Sequence, residues 1–288
     1  MNPHNTALSP DNDTMDDTAL AVSLLADGLR PALPAARREQ DLHARLQRRI
    51  AASAANQRGS HTVRQGDQVW QSLGKGARAC VLHDDGLLRT ALVEFAPGTS
   101  LPSHRHFADE ECVVLRGSLS TGDLVVGPQD YHLAPSGSKH PSIGSAEGAL
   151  IFLRGTSIGH GTRMLRELVS AWLPGRGASP ITVRSSEGDW RTIADGAHIK
   201  PLWINGESAS LLLRLEPGAR LPREAHVQDE ECFALEGEAF LGDILLRSGE
   251  YQMAPRGSQQ GELTSDVGSL LFLHTSAGFA RQDARLSS

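Results

Sequence analysis

The chain has 288 residues and a formal net charge of -6, and 39% of its residues are hydrophobic. This length accommodates two ordinary domains with packed cores. Because the sequence contains no block of Lys or Arg, it lacks the concentrated positive charge that direct nucleic-acid binding requires, and this class of function is excluded.

Neither a membrane segment nor a secretion signal is visible in the sequence. No apolar run approaches the roughly 18 residues that span a bilayer, and the start, MNPHNTALSPDNDTMDD, lacks the basic and apolar regions of a signal peptide. We therefore expect a cytoplasmic protein that does not enter a membrane. The three cysteines, Cys80, Cys112 and Cys232, form no C-x-x-C pair, so neither a disulfide framework nor a thiolate zinc site is encoded.

Residues 1–57 are predicted to form a polar tail followed by a short helical segment. Good helix formers occupy Ala19 to Leu29 and again Ala35 to Ala52, with two prolines between them. In the second helix an apolar stripe at helical spacing consists of Leu42, Leu46 and Ile50. Arginines flank this stripe, which suits either a partner-binding face or packing against the chain's own barrel.

An ungapped internal repeat at an offset of 120 residues organises the rest of the chain. It begins where Trp70 pairs with Trp190 and closes where Phe152-Leu153 pairs with Phe272-Leu273. A repeat of about one domain's length indicates duplicated domains and not a solenoid. The predicted parts are a first domain at 58–160, a linker at 161–180 with a helix near 162–173, and a second domain at 181–280.

Each repeat contains short strand-like stretches, such as LLRTALVEFAPG and ALIFLRG, separated by Gly, Pro and Asp turns. The 29 glycines, 15 prolines and 5% aromatic residues also favour short strands over long helices. This pattern predicts an all-β chain made of two jelly-roll barrels.

A cluster of potential metal ligands lies in the first repeat. His104 and His106 are two residues apart on a segment that reads as extended, so the alternation of a strand directs both imidazoles to one side. Glu110 follows after a short turn, and two imidazoles with one carboxylate suit a divalent transition metal. His140 supplies a further nitrogen. We therefore predict one divalent metal ion held by His104, His106, Glu110 and His140.

The second repeat keeps only part of this ligand set. Its equivalent residues are Glu224, His226, Glu230 and Gln260. Gln is a poor ligand for zinc, and two carboxylates with one imidazole favour a harder or more weakly held ion. A structural barrel without metal is therefore predicted, and a weak second site is the alternative.

Cys112 lies two residues after Glu110 and therefore on the same face of its strand. We interpret it as a small buried hydrophobe, because Cys232 has the same place beside the altered second site. The alternative is a redox-sensitive thiol near the ion. No nucleophile elbow, Walker loop or dinucleotide-binding motif occurs in the sequence, so metal chemistry is the remaining interpretation.

These residues resemble the two sequence motifs of the cupin superfamily. The first motif, G-x5-H-x-H-x3-E-x6-G, is matched in full by Gly98, His104, His106, Glu110 and Gly117. The second contains P-x-G-x2-H and is matched by Pro135, Gly137 and His140. The resemblance implies two tandem cupin barrels preceded by a short helical N-terminal segment.

Beyond these motifs, the run from His104 to Gly155 resembles the cupin of the ChrR anti-sigma factor family in its double Glu, its V-L-x-G, its D-Y and its P-x-G-S-x-H. The likeness covers residues 63–155 well and 183–275 more loosely. In that family a zinc-binding helical domain clamps an extracytoplasmic-function sigma factor, and the metal-bearing cupin senses oxidative stress and releases it. The resemblance therefore implies a regulator with such a sigma factor as partner.

The chain departs from the ChrR pattern before its first barrel, because no His followed by an H-x3-C-x2-C cluster precedes Cys80. This departure indicates a bicupin whose anti-sigma domain is truncated or replaced.

The sequence leaves open whether the chain is an enzyme. Its cupins also resemble diketone-cleaving and acetophenone dioxygenases, in which iron held by three His, sometimes with Glu, binds substrate and oxygen. The rival prediction is thus a non-heme dioxygenase, with Glu110 and the metal at its catalytic centre. The resemblance implies zinc for a sensor and iron(II) or manganese for an oxygenase. A small-molecule ligand without turnover and a homo-oligomer are further alternatives.

Overall fold

The computed structural model describes residues 22, 36–158, 161–170, 178–222, 225–259 and 261–282. The chain divides into two compact units, Met1–Ala52 and Ser53–Ser288. Apart from Val22, the helix predicted at Ala19 to Leu29 lies outside the described residues. In the described ranges, no helix has the length and apolar character needed to cross a membrane.

Helix α1 (Ala36–Asn56) is the helix predicted to end at Ala52. It continues further because the small residues that follow, Ser-Ala-Ala, sustain a helix, and the chain leaves it near Gly59, which has a left-handed φ of 82°. The apolar stripe is exposed: Leu42, Leu46 and Ile50 keep 51%, 49% and 60% of their surface accessible.

Short strands make up most of the second unit. In the first repeat they are β1 (His61–Val63), β2 (Trp70–Gly74), β3 (Ala77–Asp84), β4 (Arg89–Phe95), β5 (Thr99–Leu101), β6 (His104–Arg105), β7 (Glu110–Gly117), β8 (Leu119–Thr121), β9 (Leu124–Val126), β10 (Tyr131–Ala134), β11 (Lys139–His140), β12 (Ile143–Ser145) and β13 (Ala149–Thr156). In the second repeat they are β14 (Ile181–Val183), β15 (Arg191–Ala194), β16 (Ala197–Asn205), β17 (Ser208–Leu215), β18 (Arg220–Leu221), β19 (Glu230–Leu241), β20 (Ile244–Arg247), β21 (Tyr251–Ala254), β22 (Leu263–Thr264) and β23 (Ser269–Ser276).

Two short α-helices and one 3₁₀ turn (Gln65–Asp67) complete the described elements. Helix α2 (Gly161–Ser170) follows the first barrel, where a linker helix was predicted near 162–173; residues 171–177 lie outside the described part of the chain. Helix α3 (Ala277–Ala280) follows β23 and is capped by Ser276, whose hydroxyl accepts a hydrogen bond from the Phe279 N–H.

The strands form two antiparallel barrels, which confirms the all-β prediction. In the first, a sheet ordered β14-β10-β7-β13-β4-β3-β2 and a smaller sheet ordered β5-β12-β8-β9 enclose one apolar core, and β6 pairs with β11. In the second, the main sheet is ordered β1-β21-β19-β23-β17-β16-β15, with β18, β20 and β22 joined to it. A separate apolar core fills this second barrel.

The large sheets are apolar on both faces, which explains why strands such as β4 and β13 read as continuous apolar runs. On β13, Ile151 and Leu153 point into the first barrel, whereas Phe152 points to a third apolar cluster shared by both repeats. The Phe152 ring lies 4.9 Å from the ring of Phe233 and 5.2 Å from that of Phe272. The two barrels therefore pack against each other through this third apolar cluster, which is separate from the core inside either barrel.

The first strand of each repeat pairs with the barrel of the other repeat. β1 is hydrogen-bonded to β21, with Val63 opposite Tyr251, and β14 is hydrogen-bonded to β10, with Val183 opposite Tyr131. The next residue anchors each exchanged strand: Arg64 lies 2.7 Å from Glu250, and Arg184 makes the equivalent ion pair with Asp130 at 2.9 Å. Each barrel thus contains one strand that is contributed by the other repeat.

A buried polar network crosses the surface between the repeats. Arg154 Nη1 lies 3.0 Å from Glu111 and Arg154 Nε lies 2.7 Å from Glu231. Each glutamate also accepts a hydrogen bond from a tyrosine hydroxyl. Tyr131 donates to Glu111 at 2.9 Å, and Tyr251 donates to Glu231 at 2.7 Å. The second residue of each double-Glu pair therefore stabilises the contact between barrels, while the first points into its own barrel.

Candidate metal centre

Strand pairing brings the predicted ligands of the first barrel to one place. His104 lies directly opposite His140 in the β6–β11 pair, and Glu110 lies opposite Ala134 where β7 meets β10. The His106 backbone is fixed on both sides, since its N–H donates to Ser138 O at 3.1 Å and its carbonyl accepts from the Gly137 N–H at 2.8 Å. The motif spacing thus follows from the hydrogen bonding of two adjacent strand pairs.

One ligand atom each from His104, His106 and Glu110 falls within 4.8 Å of the others. The His140 ring borders this cluster, with its centroid 4.9 Å from that of His106 and 5.8 Å from that of His104. The structure therefore gathers three of the four predicted ligands into a tight set and places the fourth beside them. Their role as metal ligands stays a prediction.

Two imidazoles of this cluster, those of His106 and His140, are neutral near pH 7. Burial lowers the pKa of His106 to about 3, with further lowering from His104 and His132. Burial also lowers the pKa of His140 to about 3, and the neighbouring imidazoles act in the same direction. Neutral imidazoles offer a lone pair to a metal and do not repel it.

The hydrogen bonds of the cluster fit a divalent cation. The His104 Nδ1–H is positioned to donate to Pro102 O at 3.1 Å, which leaves Nε2 as the lone-pair nitrogen. His106 Nε2 is buried and has no hydrogen-bond partner among the described residues. A buried nitrogen of this kind is costly unless something binds it, and a metal shared with the carboxylate of Glu110 provides that partner.

A fourth imidazole, that of His132, faces the same cluster. Its ring centroid lies 5.2 Å from that of His140, and within the described structure its buried Nε2 has no hydrogen-bond partner. Its Nδ1 lies 2.8 Å from the hydroxyl of Thr182, which is on β14 and so belongs to the second repeat. His132 belongs to neither cupin motif, and the structure shows that its ring points into the first barrel.

Steric contact explains why glycine ends the first cupin motif. Gly117 closes β7 with a φ of 72°, and a Cβ added there would lie 2.0 Å from Gly148 O. Any side chain at this position would push β7, the strand that carries Glu110, away from the start of β13.

The cluster opens onto a cavity of about 260 Å³ inside the first barrel. Apolar side chains dominate its walls, and His104, Glu110, His132 and His140 form one end. Such a cavity, with a few polar groups gathered at one point, is typical of a small-molecule site.

Cys112 also lines the cavity, and its thiol is protonated. Burial raises its pKa far above the ordinary value, and the nearby carboxylate of Glu110 acts in the same direction. A thiol that resists ionisation is a weak nucleophile and a weak target for oxidants. The interpretation as a small buried hydrophobe is therefore favoured over a redox-sensitive thiol.

In the second barrel, the two corresponding residues that the structure describes, His226 and Glu230, lie close together. Glu230 accepts a hydrogen bond from the Thr275 hydroxyl at 2.5 Å, and its carboxylate lies 3.6 Å from His226 Nδ1. The other two predicted positions, Glu224 and Gln260, lie outside the described residues. Within the part of the chain that is described, only the first barrel brings three such ligands this close together.

Similarity to known proteins agrees with this architecture. A family described as "ChrR Cupin-like domain" matches residues 58–158 and again residues 178–278. No curated protein matches the chain.

Solved structures with the same fold include three bicupin-sized chains. A candidate dioxygenase of Nostoc punctiforme is 19% identical, with a TM-score of 0.57 over 80% of this chain and 84% of its own. Oxalate decarboxylase of Bacillus subtilis is 18% identical, with a TM-score of 0.54 over 77% and 76%. Ylba of E. coli is 15% identical, with a TM-score of 0.57 over 75% and 90%. At these identities the likeness is one of fold.

The family match covers more than half of the sequence, twice in tandem and in step with the two barrels. The chain therefore belongs to the ChrR cupin-like family, as a cupin with two tandem domains.

Proposed function

We propose that the chain is a metal-dependent regulator of the ChrR type. In this proposal the first barrel binds one divalent ion through His104, His106, Glu110 and His140 and detects a chemical signal there. Helix α1 contacts an extracytoplasmic-function sigma factor. The second barrel has a structural role.

The exposed apolar stripe on α1 is the observation that carries the proposal. Leu42, Leu46 and Ile50 lie on one side of the helix, and about half or more of each side chain is accessible. Three such side chains at helical spacing are the pattern by which a helix binds in a partner's groove. Helix α1 also contains five arginines against two acidic residues, so the groove that suits it is apolar with an acidic rim.

The metal centre supports the sensing half of the proposal. The His106 and His140 imidazoles are buried and neutral, and the cluster lies beside a cavity with mostly apolar walls, so a small molecule that enters reaches the ligands directly. A bound divalent ion would supply Lewis acidity and an attachment point for that molecule. The chain's own residues supply the apolar walls that exclude water.

The test is capture of a sigma factor encoded beside the gene, using the full-length chain and two charge variants. Leu46→Glu places a carboxylate in the stripe, whereas the control Gln47→Glu places one on the next residue of the same helix. We expect Leu46→Glu to weaken capture about ten-fold or more, as for a central interface residue, and Gln47→Glu to leave it nearly unchanged. Equal capture by both variants would refute the assignment of the stripe.

A dioxygenase is the second candidate, and the cavity is the observation that favours it. An apolar cavity that is also lined by imidazoles and a carboxylate would hold a substrate next to an iron ion. The test is oxygen uptake by the iron(II)-loaded chain with a small diketone, which Glu110→Ala should abolish. Iron-dependent uptake together with no capture of a sigma factor would overturn the regulatory proposal in favour of the enzyme.

A further inference from the structure

The wall of the cavity beside the metal cluster includes His132. In the β7–β10 pair this residue lies directly opposite Cys112, and residues paired in this way point to the same face of a sheet. Glu110 is two residues from Cys112 and therefore shares that face. The carboxylate of Glu110 and the ring of His132 thus border the same end of the cavity, and strand register alone places them there.

The Nε2 atom of His132 lacks a hydrogen-bond partner. The residue is 8% exposed, and no group among the described residues bonds to its enclosed Nε2. The other ring nitrogen, Nδ1, lies 2.8 Å from the Thr182 hydroxyl. Because a buried polar atom without a partner is unfavourable, Nε2 marks a point at which a bound molecule would supply the missing hydrogen bond.

The contact with Thr182 determines which nitrogen of His132 carries the proton. Burial lowers the pKa of His132, and the charge of Glu110 opposes this effect, so the neutral ring has one N–H. If the Thr182 hydroxyl donates to Nδ1, the ring proton lies on Nε2. The opposite tautomer would leave the hydroxyl proton of Thr182 without an acceptor among the described residues. The first arrangement satisfies more groups, and in it His132 presents an Nε2–H donor.

The second repeat has lost this imidazole together with the metal ligands. The residue 120 positions after His132 is Gln252. Gln252 lies opposite Thr62 on β1, just as His132 lies opposite Thr182 on β14. Both barrels therefore keep the threonine, whereas the imidazole occurs only beside the complete ligand set of the first barrel. This association indicates that His132 serves the metal end of the cavity and not the fold of the barrel.

We propose that His132 is a specificity-determining residue whose Nε2–H donates a hydrogen bond to an oxygen of the molecule that the cavity binds. The cavity has a volume of about 260 Å³ and mostly apolar walls, and a cavity of about 150 Å³ in another protein takes benzene. The ligand class is therefore a small molecule with an apolar body of about one ring and an acceptor oxygen at one end. The inference deepens the proposed sensing role and rests on it, since the oxygen lies at the metal end. Because Thr182 belongs to the second repeat, that repeat helps to set the specificity.

The experiment compares 4-fluorobenzamide, which has an acceptor oxygen, with 1-ethyl-4-fluorobenzene, which has none, by fluorine NMR titration of the zinc-saturated full-length chain. His132→Phe keeps a ring but removes the N–H donor. It should weaken binding of the amide about five-fold, the usual effect of one hydrogen bond to a buried neutral group, and leave binding of the hydrocarbon nearly unchanged.

The matched control is His198→Phe. Its parent imidazole also lies beside a threonine hydroxyl, with Nδ1 of His198 3.0 Å from Thr192, but His198 is not among the described residues that line the cavity. This variant should change the binding of neither probe.

A measurement on the parent keeps the test independent of whether His132→Phe folds. In a chain with isotope-labelled histidine, the Nε2–H proton signal of His132 should shift when the amide is added and should not shift with the hydrocarbon. Its loss in His132→Gln identifies the signal. That variant carries the side chain that Gln252 has at the same place in the second barrel, so the barrel should accept it.

Each outcome decides one part of the inference. Equal weakening of both probes by His132→Phe, or an Nε2–H signal that the amide does not move, would overturn the hydrogen bond. Loss of zinc from His132→Phe with unchanged affinity of its zinc-bound fraction for the amide would reduce His132 to a support for Glu110. Failure of the zinc-saturated parent to bind either probe would overturn the ligand class and leave the metal centre intact. A parent that takes up no zinc but shows both effects of His132 would refute the metal centre and retain the hydrogen bond.

Discussion

Replacing Arg154 by Met should destabilise the chain strongly, because two buried carboxylates share this guanidinium. Glu111 is 1% exposed and Glu231 is 9% exposed, and Arg154 lies 3.0 Å and 2.7 Å from them. Met preserves much of the side-chain length but leaves both charges without their common partner. Loss of one member of a buried ion pair typically costs about 3 to 5 kcal/mol.

The pKa of Glu111 gives a second route to this magnitude. Burial alone would raise it, but a hydrogen bond with His274, the charge of Arg154 and the charge of His274 lower it to about 2. The distance from the ordinary value of 4.5 to about 2 corresponds to about 3 kcal/mol of native-state stabilisation. His274 provides part of this, and the lowered pKa of Glu231 adds to it, so about 3 to 5 kcal/mol is a consistent expectation.

The pH dependence follows from the sign of the shift. Because the folded-state pKa of Glu111 is depressed, its contribution is fully present above about pH 4.5 and is lost as the pH falls through about 2. Parent and Arg154→Met should therefore differ most at neutral pH, and the difference should shrink steadily below pH 4.5.

Urea unfolding at a series of pH values measures this difference. The matched control is Arg116→Met, which removes an exposed arginine 3.0 Å from Glu94 and should cost less than about 1 kcal/mol. A loss below about 1 kcal/mol for Arg154→Met at pH 7, or a loss that does not change between pH 7 and pH 3, would refute the reasoning.

Three further predictions concern the metal centre. His106→Ala should lower the metal content of the purified chain by more than half by elemental analysis, because it removes a buried ligand; unchanged content would contradict the site. Glu230→Ala should leave the metal content as it was, and a parent stoichiometry near two that falls to one would show a second site. Thr182→Val should weaken zinc binding about ten-fold in a competition assay by releasing the ring of His132, whereas Thr62→Val, the same change on β1, should have no effect.

The sequence predicts the barrel interiors better than the contacts between barrels. The two-residue alternation around Glu110 places that carboxylate and Cys112 on one face, and the structure has them in the same cavity. The same alternation turns Glu111 outward, where a lone barrel would leave it in water. Its burial depends on the other repeat covering that face, which no periodicity within one repeat reveals.

Other parts of the candidate site carry no motif at all. Thr182 reaches His132 only because β14 joins the first barrel. The offset of 120 residues also extends upstream of Trp70 to this strand, since Thr62-Val63-Arg64 recurs as Thr182-Val183-Arg184. This repetition in the sequence does not show, however, whether each strand pairs within its own repeat or with the other repeat.

The exchange of first strands has a consequence for how the chain is made. Arg64 and its partner Glu250 are 186 residues apart in the sequence, so β1 has no place to pair until nearly the whole chain has left the ribosome. During synthesis the first barrel likewise lacks β14 and exposes the edge of β10, a surface prone to pairing with other chains. Pairing of β14 closes the β10 edge early in the synthesis of the second repeat, and formation of β21 lets β1 pair much later. A chain cleaved between the repeats would stay together as two interlocked fragments.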